Sequence, residues 1–536
     1  MTDRTGARII GDTLAAAGAT HAFGIPGGEV LALMEGLGDA GVDFVLTKHE
    51  NAAGFMAEGL WHATGVPGIL VATIGPGVAN AINVVANAHQ DRVPLIFLTG
   101  CVDGATAETY THQVFDHRAV LAPITKATFR AERGAVGAMM EKAVAIALGG
   151  QPGPVHIDVP IDIAEELSAE PRRSASPRAA QGAPADGPAL TAARAALAGA
   201  KRPLAIAGVD AVNQGAGSVI ADYCRRNEIP LVTTYKGKGL LDETHALALG
   251  GAGLSPAADK ILLPLMGQAD CLLLLGYDPI EMRLGWRDPW PADSTVIEIA
   301  DVPRLHGMHS VSHALPGQIR PALAALGDLD DPEGVWPDRA PEAARAALAD
   351  AFAAGDWGPG RVFATLREAL PPDTVITADS GAHRILLSQM WRCPAPRTML
   401  QSSALCTMGC AVPLAAGYTL GARAAPVVAF VGDAGLEMGL GELATLRDLR
   451  LPVIICVLVD ESLALIEMKQ RGSQRPNLGV DFPGSDFPAI AAALGGHGVW
   501  VDDAETLRAE TAAALDREAF TILACRIGPR AYDGAF

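Results

Sequence analysis

The sequence predicts an α/β protein of three domains, each a doubly wound parallel sheet. Predicted helices and strands alternate along most of the chain, and two segments of linker composition interrupt this alternation. Most predicted strands are short continuous apolar runs, as is typical of strands buried on both faces of a parallel sheet. A chain of 536 residues has room for about three domains of ordinary size.

The first domain is predicted over residues 1–167. Helices are expected near 5–17 and 29–38, and a third helix is expected to run through Trp61. Residues 168–189, rich in Glu, Ser, Pro, Arg and Ala, have the composition of a linker. The strands of this domain are expected at 42–47, 68–73, 94–99 and 154–160.

The middle domain is predicted over residues 190–327 and the third over 358–536. A second linker with some helical content is expected at 328–357, which is rich in Asp, Pro, Ala and Arg. Strands are expected in the middle domain at 203–208, 230–234 and 270–276, and in the third at 374–378, 427–431, 452–459 and 520–527.

The composition limits which binding partners and which cellular compartment are expected for this protein. A formal net charge of −19 argues against a nucleic-acid or anionic-membrane surface, and no apolar run approaches membrane-spanning length. The eight cysteines show no zinc-ligand spacing and several lie inside apolar runs. We therefore expect a cytoplasmic protein without disulfide bonds or a secretory signal.

Two aspartates follow strands of the third domain. Asp433 comes just after the run 427–431 and precedes Gly435, and Asp460 comes directly after the run 452–459. Both carboxylates are therefore expected at the edge where open α/β sheets bind ligands. Carboxylate oxygens there suit a divalent cation that also holds a diphosphate. For either aspartate alone, an ordinary turn or helix cap is the alternative.

Asp433 and Asp460, 27 positions apart, resemble the signature of the thiamin diphosphate-dependent enzymes, Gly-Asp-Gly followed further on by Asn-Asn. The resemblance extends over nearly the whole chain and implies pyrimidine-binding, middle and diphosphate-binding domains in that order. It is carried by further segments that resemble, in matching order, those of acetolactate synthase and related 2-oxo-acid enzymes: Lys48-His49-Glu50, Ile74-Gly75-Pro76-Gly77, residues 94–100, Pro123-Ile124-Thr125-Lys126 and Thr407-Met408-Gly409.

The resemblance implies a Mg²⁺ ion held by the side chains of Asp433 and Asp460 and by the carbonyl of Ser462. Ala434 and Gly435 would then contact the diphosphate. The sequence departs from the signature, because Ala434 replaces its second glycine and Val459-Asp460 replaces Asn-Asn. An Asp in place of an Asn ligand keeps an oxygen donor for the metal and adds negative charge, so the diphosphate meets more repulsion at this site.

Further cofactor contacts are implied by the same resemblance. Glu50 matches the activating glutamate that contacts a ring nitrogen of the aminopyrimidine and starts proton removal from the thiazolium carbon. Met408 matches the apolar residue that holds the cofactor bent, and the backbone of Cys406 would accept from the amino group. His383 matches a diphosphate-contacting histidine, and Pro76 lies in a matching cofactor loop. A helix-dipole role for Glu50 and core filling by Met408 are the alternatives.

The residues that face the substrate combine features of two groups in this family. Gln113 is expected to face the reacting carbonyl, and His112 is either a proton donor or a polar wall residue. Gly28 and Ile466 stand where aldehyde-releasing decarboxylases carry acids. Capture of the decarboxylated fragment by a second carbonyl compound is therefore favoured over its protonation, although Glu29 and the adjacent Glu467 could substitute for the missing acids.

We therefore expect decarboxylation of a small 2-oxo acid with carboligation to an acceptor carbonyl compound. The alternatives are a non-ligating decarboxylase or 2-hydroxy-ketone lyase, and an inactive binding or regulatory homologue. FAD is possible but not favoured, on the glycine turns at 208–211, 233–239 and 276–279 of the middle domain. The resemblance also implies a site shared between subunits, hence a homodimer at least and a homotetramer as the favoured assembly.

Overall fold

The structure, a computed structural model, describes residues 4–171, 182–280, 282–303 and 306–536. Residues 1–3 of the first predicted domain and 172–181 of the first predicted linker therefore lie outside the described residues. Three six-stranded sheets, each parallel throughout, form three α/β domains, as the sequence predicts. All eight cysteines are unpaired. Among the helices of the described residues, none combines the length and apolarity needed to cross a membrane.

The first sheet has the strand order β3-β2-β4-β5-β7-β6, and a separate antiparallel pair joins β1 to β8. The Thr5 hydroxyl caps the first helix by accepting from the Arg8 N–H at 3.1 Å. The strands are β1 (Arg4–Thr5), β2 (His21–Ile25), β3 (Asp43–Leu46), β4 (Gly68–Ala72), β5 (Leu95–Cys101), β6 (Ala127–Arg130), β7 (Pro154–Pro160) and β8 (Leu167–Ser168). The helices are α1 (Gly6–Ala16), α2 (Leu31–Asp39), α3 (Glu50–Thr64), α4 (Pro76–Gln90), α5 (Gly104–Ala107), α6 (His117–Leu121), α7 (Val136–Leu148) and α8 (Ile161–Glu165).

The middle sheet has the order β11-β10-β9-β12-β13-β14, and a buried apolar layer lies on each of its faces. Its strands are β9 (Pro203–Ala207), β10 (Leu231–Thr234), β11 (Ala248–Ala252), β12 (Cys271–Leu275), β13 (Thr295–Ala300) and β14 (His313–Pro316). The helices are α9 (Pro188–Ala198), α10 (Val209–Asn213), α11 (Gly217–Arg226), α12 (Pro256–Met266) and α13 (Ile319–Leu326), followed by α14 (Ala340–Ala351) in the second predicted linker.

The third sheet has the order β16-β15-β17-β18-β20-β19. Its inner strands are continuous buried runs, because helices cover both faces. The strands are β15 (Val375–Ala378), β16 (Met399–Gln401), β17 (Val427–Gly432), β18 (Ile454–Val459), β19 (His497–Val501) and β20 (Thr521–Arg526). The helices are α15 (Pro359–Ala369), α16 (Ala382–Met390), α17 (Ala411–Gly421), α18 (Asp433–Met438), α19 (Glu442–Leu449), α20 (Ala464–Gly472), α21 (Phe487–Ala493) and α22 (Ala504–Leu515).

The first and third domains share one apolar core. Helix α3 packs against α17 so closely that a Cβ at Gly59 would lie 2.2 Å from the Leu414 carbonyl oxygen, and a Cβ at Gly417 would lie 1.9 Å from that of Met56. Glycine is therefore required on both helices, and the contact fixes the two sheets relative to each other. As a result, α4 of the first domain lies against the loop that precedes α17.

Candidate active site

Glu50 begins α3, just after the carboxyl end of β3. His49 caps this helix through Nδ1, which accepts from the Asn51 N–H at 3.1 Å. The Glu50 carboxylate is buried, and its Oε2 accepts from Asn80 Nδ2 at 3.0 Å. The preceding turn is tied to the third domain, because the Lys48 N–H donates to Glu442 Oε1 at 2.9 Å. The glutamate is thus held at a fixed position between the two domains.

The loop that carries Pro76 lies beside Glu50 and Gln113. A Cβ at Gly77 would come 3.3 Å from Glu50 Oε1, and a Cβ at Gly75 would come 2.4 Å from the Gln113 carbonyl oxygen. Gly75 also has φ of +70°, a conformation that glycine adopts without strain. The structure therefore brings Glu50, Pro76 and Gln113 together. His112 is exposed, with its ring 6.2 Å from that of Tyr110.

Two residues that the sequence did not suggest support this loop. The Gly75 N–H donates to His117 Nε2 at 3.3 Å, and His117 Nδ1 lies 2.8 Å from Asp158 Oδ1. Both side chains are buried, and hydrogen bonds from His117 and His156 hold the pKa of Asp158 well below its usual value against the effect of burial. With Nε2 as acceptor, Nδ1 carries the proton and donates a hydrogen bond to the Asp158 carboxylate.

Asp433 opens α18 and is buried. Its Oδ2 accepts from the backbone N–H groups of Asp460 at 3.1 Å and of Glu461 at 2.7 Å, and its Oδ1 accepts from the Ala434 N–H at 2.9 Å. These bonds join the turn after β17 to the turn after β18. Burial still raises the pKa of Asp433 above its usual value. The predicted convergence of the two strand ends is therefore present in the structure.

Asp460 lies beside Asp433 with one carboxyl oxygen, Oδ2, that is buried without a hydrogen-bond partner among the described residues. Burial, followed by the charge of Asp433, raises the pKa of Asp460 to about 8. Ser462 lies two positions further on, and its hydroxyl donates to Asp481 Oδ1 at 2.7 Å. A divalent cation would satisfy the unpartnered oxygen and offset the repulsion between the carboxylates, so this donor set fits Mg²⁺.

His383 lies beside the Asp433 turn. A Cβ at Gly432 would be 3.6 Å from His383 Cε1, and a Cβ at Gly381 would be 2.7 Å from it. The ring is buried and Nε2 has no partner among the described residues. Burial and the nearby Arg384 charge lower the pKa of His383 to about 3, so the ring is neutral at pH 7. Cε1 and Nδ1 are the ring atoms nearest to both glycines, and the unpartnered Nε2 of a neutral ring can donate to a diphosphate oxygen in the tautomer that carries its proton there.

Asp379 holds the turn from Gly409 to Ala411, a role that the sequence did not reveal. Its carboxylate accepts from the N–H groups of Gly409 at 2.6 Å, Cys410 at 2.7 Å and Ala411 at 2.9 Å. A Cβ at Gly435 would lie 2.3 Å from Asp379 Oδ2. Gly435 is therefore the position of this motif that requires glycine, whereas the side chain of Ala434 is partly exposed.

The loop carrying Cys406 and Met408 runs over the start of α18, where Gly409 lies next to Gly435. Cys406 has a left-handed φ of +53°, and its Sγ accepts from Arg384 Nη2 at 3.2 Å. The Met408 side chain is half-buried. The Thr407 hydroxyl reaches α4 of the first domain and bonds Asn83 Oδ1 at 3.0 Å. The third-domain group thus comprises the Asp433 turn, Asp460, His383 and this loop.

The glycine turns of the middle domain face the first domain. Gln151 Nε2 lies 3.3 Å from Asp210 Oδ2 and 3.2 Å from Asp278 Oδ2, and Arg92 donates to Asp278 at 2.9 Å. The ends of these strands are therefore joined to the turn after α4 and to the segment before β7.

Three family models match the chain in order. They are the N-terminal TPP binding domain of the thiamine pyrophosphate enzymes over residues 4–120, their central domain over 190–326 and their C-terminal TPP binding domain over 379–525. Thiamine pyrophosphate is the same compound as thiamin diphosphate. The first and last matches contain Glu50, Gln113, Asp433 and Asp460.

Curated relatives agree over almost the full length. The acetolactate synthase of Bacillus subtilis is 29% identical over 94% of this chain and 89% of its own. A probable acetolactate synthase large subunit of Methanocaldococcus jannaschii is 30% identical over 86% and 81%. A probable 2-ketoarginine decarboxylase of Pseudomonas aeruginosa is 30% identical over 96% and 92%. The chain therefore belongs to the thiamine pyrophosphate enzymes and is an acetolactate synthase-like enzyme of the lyase or transferase kind.

Proposed function

We propose that this enzyme uses thiamine pyrophosphate and Mg²⁺ to decarboxylate a small 2-oxo acid and to join the remaining fragment to an acceptor carbonyl compound. The observation that carries the proposal is the pair Asp433 and Asp460, with an unpartnered buried oxygen, beside the unpartnered Nε2 of His383. When bound, thiamine pyrophosphate supplies a carbon nucleophile and an acceptor for the electron pair left by carbon dioxide.

The third domain holds the metal and the diphosphate. Asp433 and Asp460 provide carboxylate oxygens, and Ser462 provides its carbonyl oxygen. His383 donates from Nε2 to the diphosphate, and the turn at Ala434 and Gly435 allows its backbone to approach closely. The support for these roles is the shared burial of the groups and the hydrogen bonds that link the two strand ends.

The remaining roles concern proton movement and orientation. Glu50 holds a proton against a pyrimidine ring nitrogen, supported by its burial and by the Asn80 bond that fixes its carboxylate. The Cys406 carbonyl accepts from the pyrimidine amino group, and Met408 supports the bent shape of the cofactor. Gln113 orients the substrate carbonyl, with His112 at the outer wall.

Carboligation is supported by the contacts of Glu29 and Glu467, the two acids that could replace those missing at Gly28 and Ile466. Glu29 accepts from the Thr73 hydroxyl at 2.6 Å, and Glu467 is buried and paired with Arg471 at 3.0 Å. Both carboxylates are therefore engaged, whereas a proton donor for aldehyde release needs to reach the reacting carbon. With Gly28 and Ile466 in the acid positions, a second carbonyl compound is the favoured electrophile.

Release of an aldehyde without ligation, or cleavage of a 2-hydroxy ketone, is the second candidate, supported by the Pseudomonas relative named as a decarboxylase. The test is a panel of 2-oxo acids with thiamine pyrophosphate and Mg²⁺, in which carbon dioxide and organic products are measured together. We expect one ligated 2-hydroxy ketone product for each carbon dioxide, such as acetolactate from two pyruvates. Free aldehyde in equal amount to carbon dioxide would favour the second candidate.

The active assembly is proposed to be a homodimer at least, and a homotetramer as the favoured form. Exposed apolar side chains near both groups support a partner surface: Tyr110, Phe115, Met438, Ile466 and Leu478. Mixing the inactive variants Glu50→Gln and Asp433→Asn tests whether sites are shared. If they are, one site of each mixed dimer is intact and about a quarter of wild-type activity returns. No recovered activity after subunit exchange would place both groups in one chain. The unpaired cysteines support a cytoplasmic location.

A further inference from the structure

Three hydrogen bonds lead from the loop that carries Cys406 to Glu58, a carboxylate on α3. The Thr407 N–H donates to Ser402 Oγ at 2.9 Å, and the Ser402 hydroxyl donates to Asn87 Oδ1 at 2.6 Å. Asn87 Nδ2 then donates to Glu58 Oε2 at 3.1 Å. In each of these three hydrogen bonds, the donor points away from the loop and toward the Glu58 carboxylate.

This row of hydrogen bonds is shielded from solvent. Ser402, Asn87 and Glu58 are each no more than 1% exposed. Hydrogen bonds in such surroundings are electrostatically stronger than in water, and successive bonds that point the same way polarise one another. A carboxylate at the end of the chain therefore increases the polarisation of the first donor, the Thr407 N–H.

The Thr407 N–H and the Cys406 carbonyl belong to one peptide group. Polarisation of the N–H places more negative charge on the carbonyl oxygen of the same group. Cys406 also has a φ of +53°, a conformation that residues with a side chain rarely adopt, so the surrounding contacts must hold this peptide in its orientation. Arg384 also donates to the Ser402 carbonyl and to Cys406 Sγ, each at 3.2 Å.

We propose that Ser402, Asn87 and Glu58 are positioning residues that fix the Cys406–Thr407 peptide and strengthen its carbonyl as an acceptor for the pyrimidine amino group of the cofactor. The inference rests on the proposed function, in which Glu50 acts on the same pyrimidine ring. This row of hydrogen bonds sets how readily the amino group exchanges its proton. It leaves the affinity for the cofactor almost unchanged, because Asp433, Asp460 and His383 hold the diphosphate end.

The position of Glu58 is itself fixed by charged and titratable neighbours. Its Oε1 lies 3.5 Å from His62 Nε2 and 3.8 Å from Lys236 Nζ, and Lys236 lies 2.8 Å from Asp91 Oδ2. Asp91 in turn accepts from the N–H groups of Ser403 and Ala404, at 3.0 and 2.9 Å. The same loop is thus anchored a second time, to Asp91 just after α4, through hydrogen bonds that do not involve Ser402.

The test compares Ser402→Ala with Ser403→Ala in the full-length protein. Both serines are buried in the same loop, but the Ser403 hydroxyl has no hydrogen-bond partner among the described residues, so the second variant is a matched control. The readout is the rate at which the thiazolium C2 proton of bound thiamine pyrophosphate exchanges in D₂O, measured by acid quench and proton NMR. Cofactor affinity by calorimetry and the melting temperature are measured in parallel.

We expect Ser402→Ala to slow this exchange by about tenfold or more, the effect of losing one buried hydrogen bond. Ser403→Ala should stay within about twofold of wild type, and both should bind the cofactor within about threefold of wild type. In an exchange assay above pH 8, where Glu58 is ionised, Glu58→Gln keeps an oxygen acceptor without the charge, so it should slow exchange by a smaller factor. This near-isosteric variant gives a second test should Ser402→Ala melt at the assay temperature.

Equal exchange rates in Ser402→Ala, Glu58→Gln and Ser403→Ala, with exchange intact in wild type, would overturn this inference alone. Absence of cofactor binding or of exchange in the wild-type protein would overturn the proposed function and this inference with it. A loss of cofactor affinity that accounts for the whole rate change in Ser402→Ala would also contradict the positioning role.

Discussion

The carboxylate of Asp379 occupies the space that a side chain at Gly435 would need, with 2.3 Å between Asp379 Oδ2 and the position of a Cβ. Three backbone N–H groups hold that carboxylate from the loop of Met408. One buried residue therefore sets the spacing between the turn that carries Asp433 and Gly435 and the loop that carries Met408.

Gly435→Ala should damage both sides of this contact. The added methyl group must displace Asp379 or α18, and overpacking of this kind costs about 1–3 kcal/mol. We expect a lower melting temperature and at least about tenfold weaker binding of thiamine pyrophosphate with Mg²⁺, measured by thermal unfolding and calorimetry. Gly38→Ala is the control, since its Cβ would meet nothing within 4 Å. Wild-type affinity in Gly435→Ala would refute the contact.

The negative charge and the oxygen donor of Asp460 can be removed separately by substitution. Asp460→Asn keeps an oxygen donor for Mg²⁺, whereas Asp460→Ala removes it. We expect cofactor affinity in the presence of Mg²⁺ to fall by less than about tenfold in Asp460→Asn and by about a hundredfold or more in Asp460→Ala. Removing the metal with EDTA should weaken cofactor binding in wild type and Asp460→Asn, and have little effect on Asp460→Ala. Equal Mg²⁺ dependence in all three proteins would exclude Asp460 as a ligand.

Burial raises the pKa of Glu58 from 4.5 to about 7, which links folding stability to pH. The folded protein binds this proton more tightly than the unfolded chain, so the stabilisation is complete below pH 4.5 and is lost as the pH rises through about 7. Relative to Glu58→Gln, the free energy of unfolding of wild type should fall by up to about 3 kcal/mol between pH 5 and 8.

Denaturant unfolding of both proteins at several pH values measures this difference. Subtracting the Glu58→Gln curve removes the contributions of the other titrating groups that both proteins share. A difference that stays constant with pH, or that changes in favour of wild type as the pH rises, would contradict the raised pKa of Glu58.

His117 supports the loop that carries Gly75 and Pro76 by accepting from the Gly75 N–H. His117→Phe keeps a ring of similar size and leaves this N–H without its acceptor, at a cost of about 1–3 kcal/mol. We expect kcat/KM for the 2-oxo acid to fall by about tenfold or more while the affinity for thiamine pyrophosphate is retained. Steady-state kinetics at saturating cofactor provide the measurement, and an unchanged kcat/KM would show that the loop keeps its position without His117.

The inner strands could be predicted from the sequence, while several edge strands could not. Strands such as β4, β17 and β18 are continuous apolar runs because both faces are covered. The edge strands that were not predicted are short, or contain glycine or polar residues. They are β6, β11, β14, β16 and β19. The inner strands β2 and β13 were also not predicted, since β2 is short and contains Gly24, and Glu298 interrupts the apolar run of β13.

The candidate site was predictable where chemistry follows a strand or matches a family segment, as at Glu50, Asp433 and Asp460. The supporting residues were not, because their roles depend on contacts between distant segments. Asp158 lies 41 positions from His117, and Ser402 lies 315 positions from Asn87. Polar residues of these types are common in loops and helices, so only their positions in the folded chain distinguish them.

The central proposal is that this protein decarboxylates 2-oxo acids through thiamine pyrophosphate bound with Mg²⁺, with Glu50 as the group that holds the activating proton. Its most direct test is carbon dioxide release from a 2-oxo-acid panel by wild type and Glu50→Gln, each saturated with cofactor and Mg²⁺. We predict release by wild type on at least one acid, with a loss of about a hundredfold or more in Glu50→Gln. Equal rates in the two proteins, or no release by the saturated wild-type protein on any acid, would contradict it.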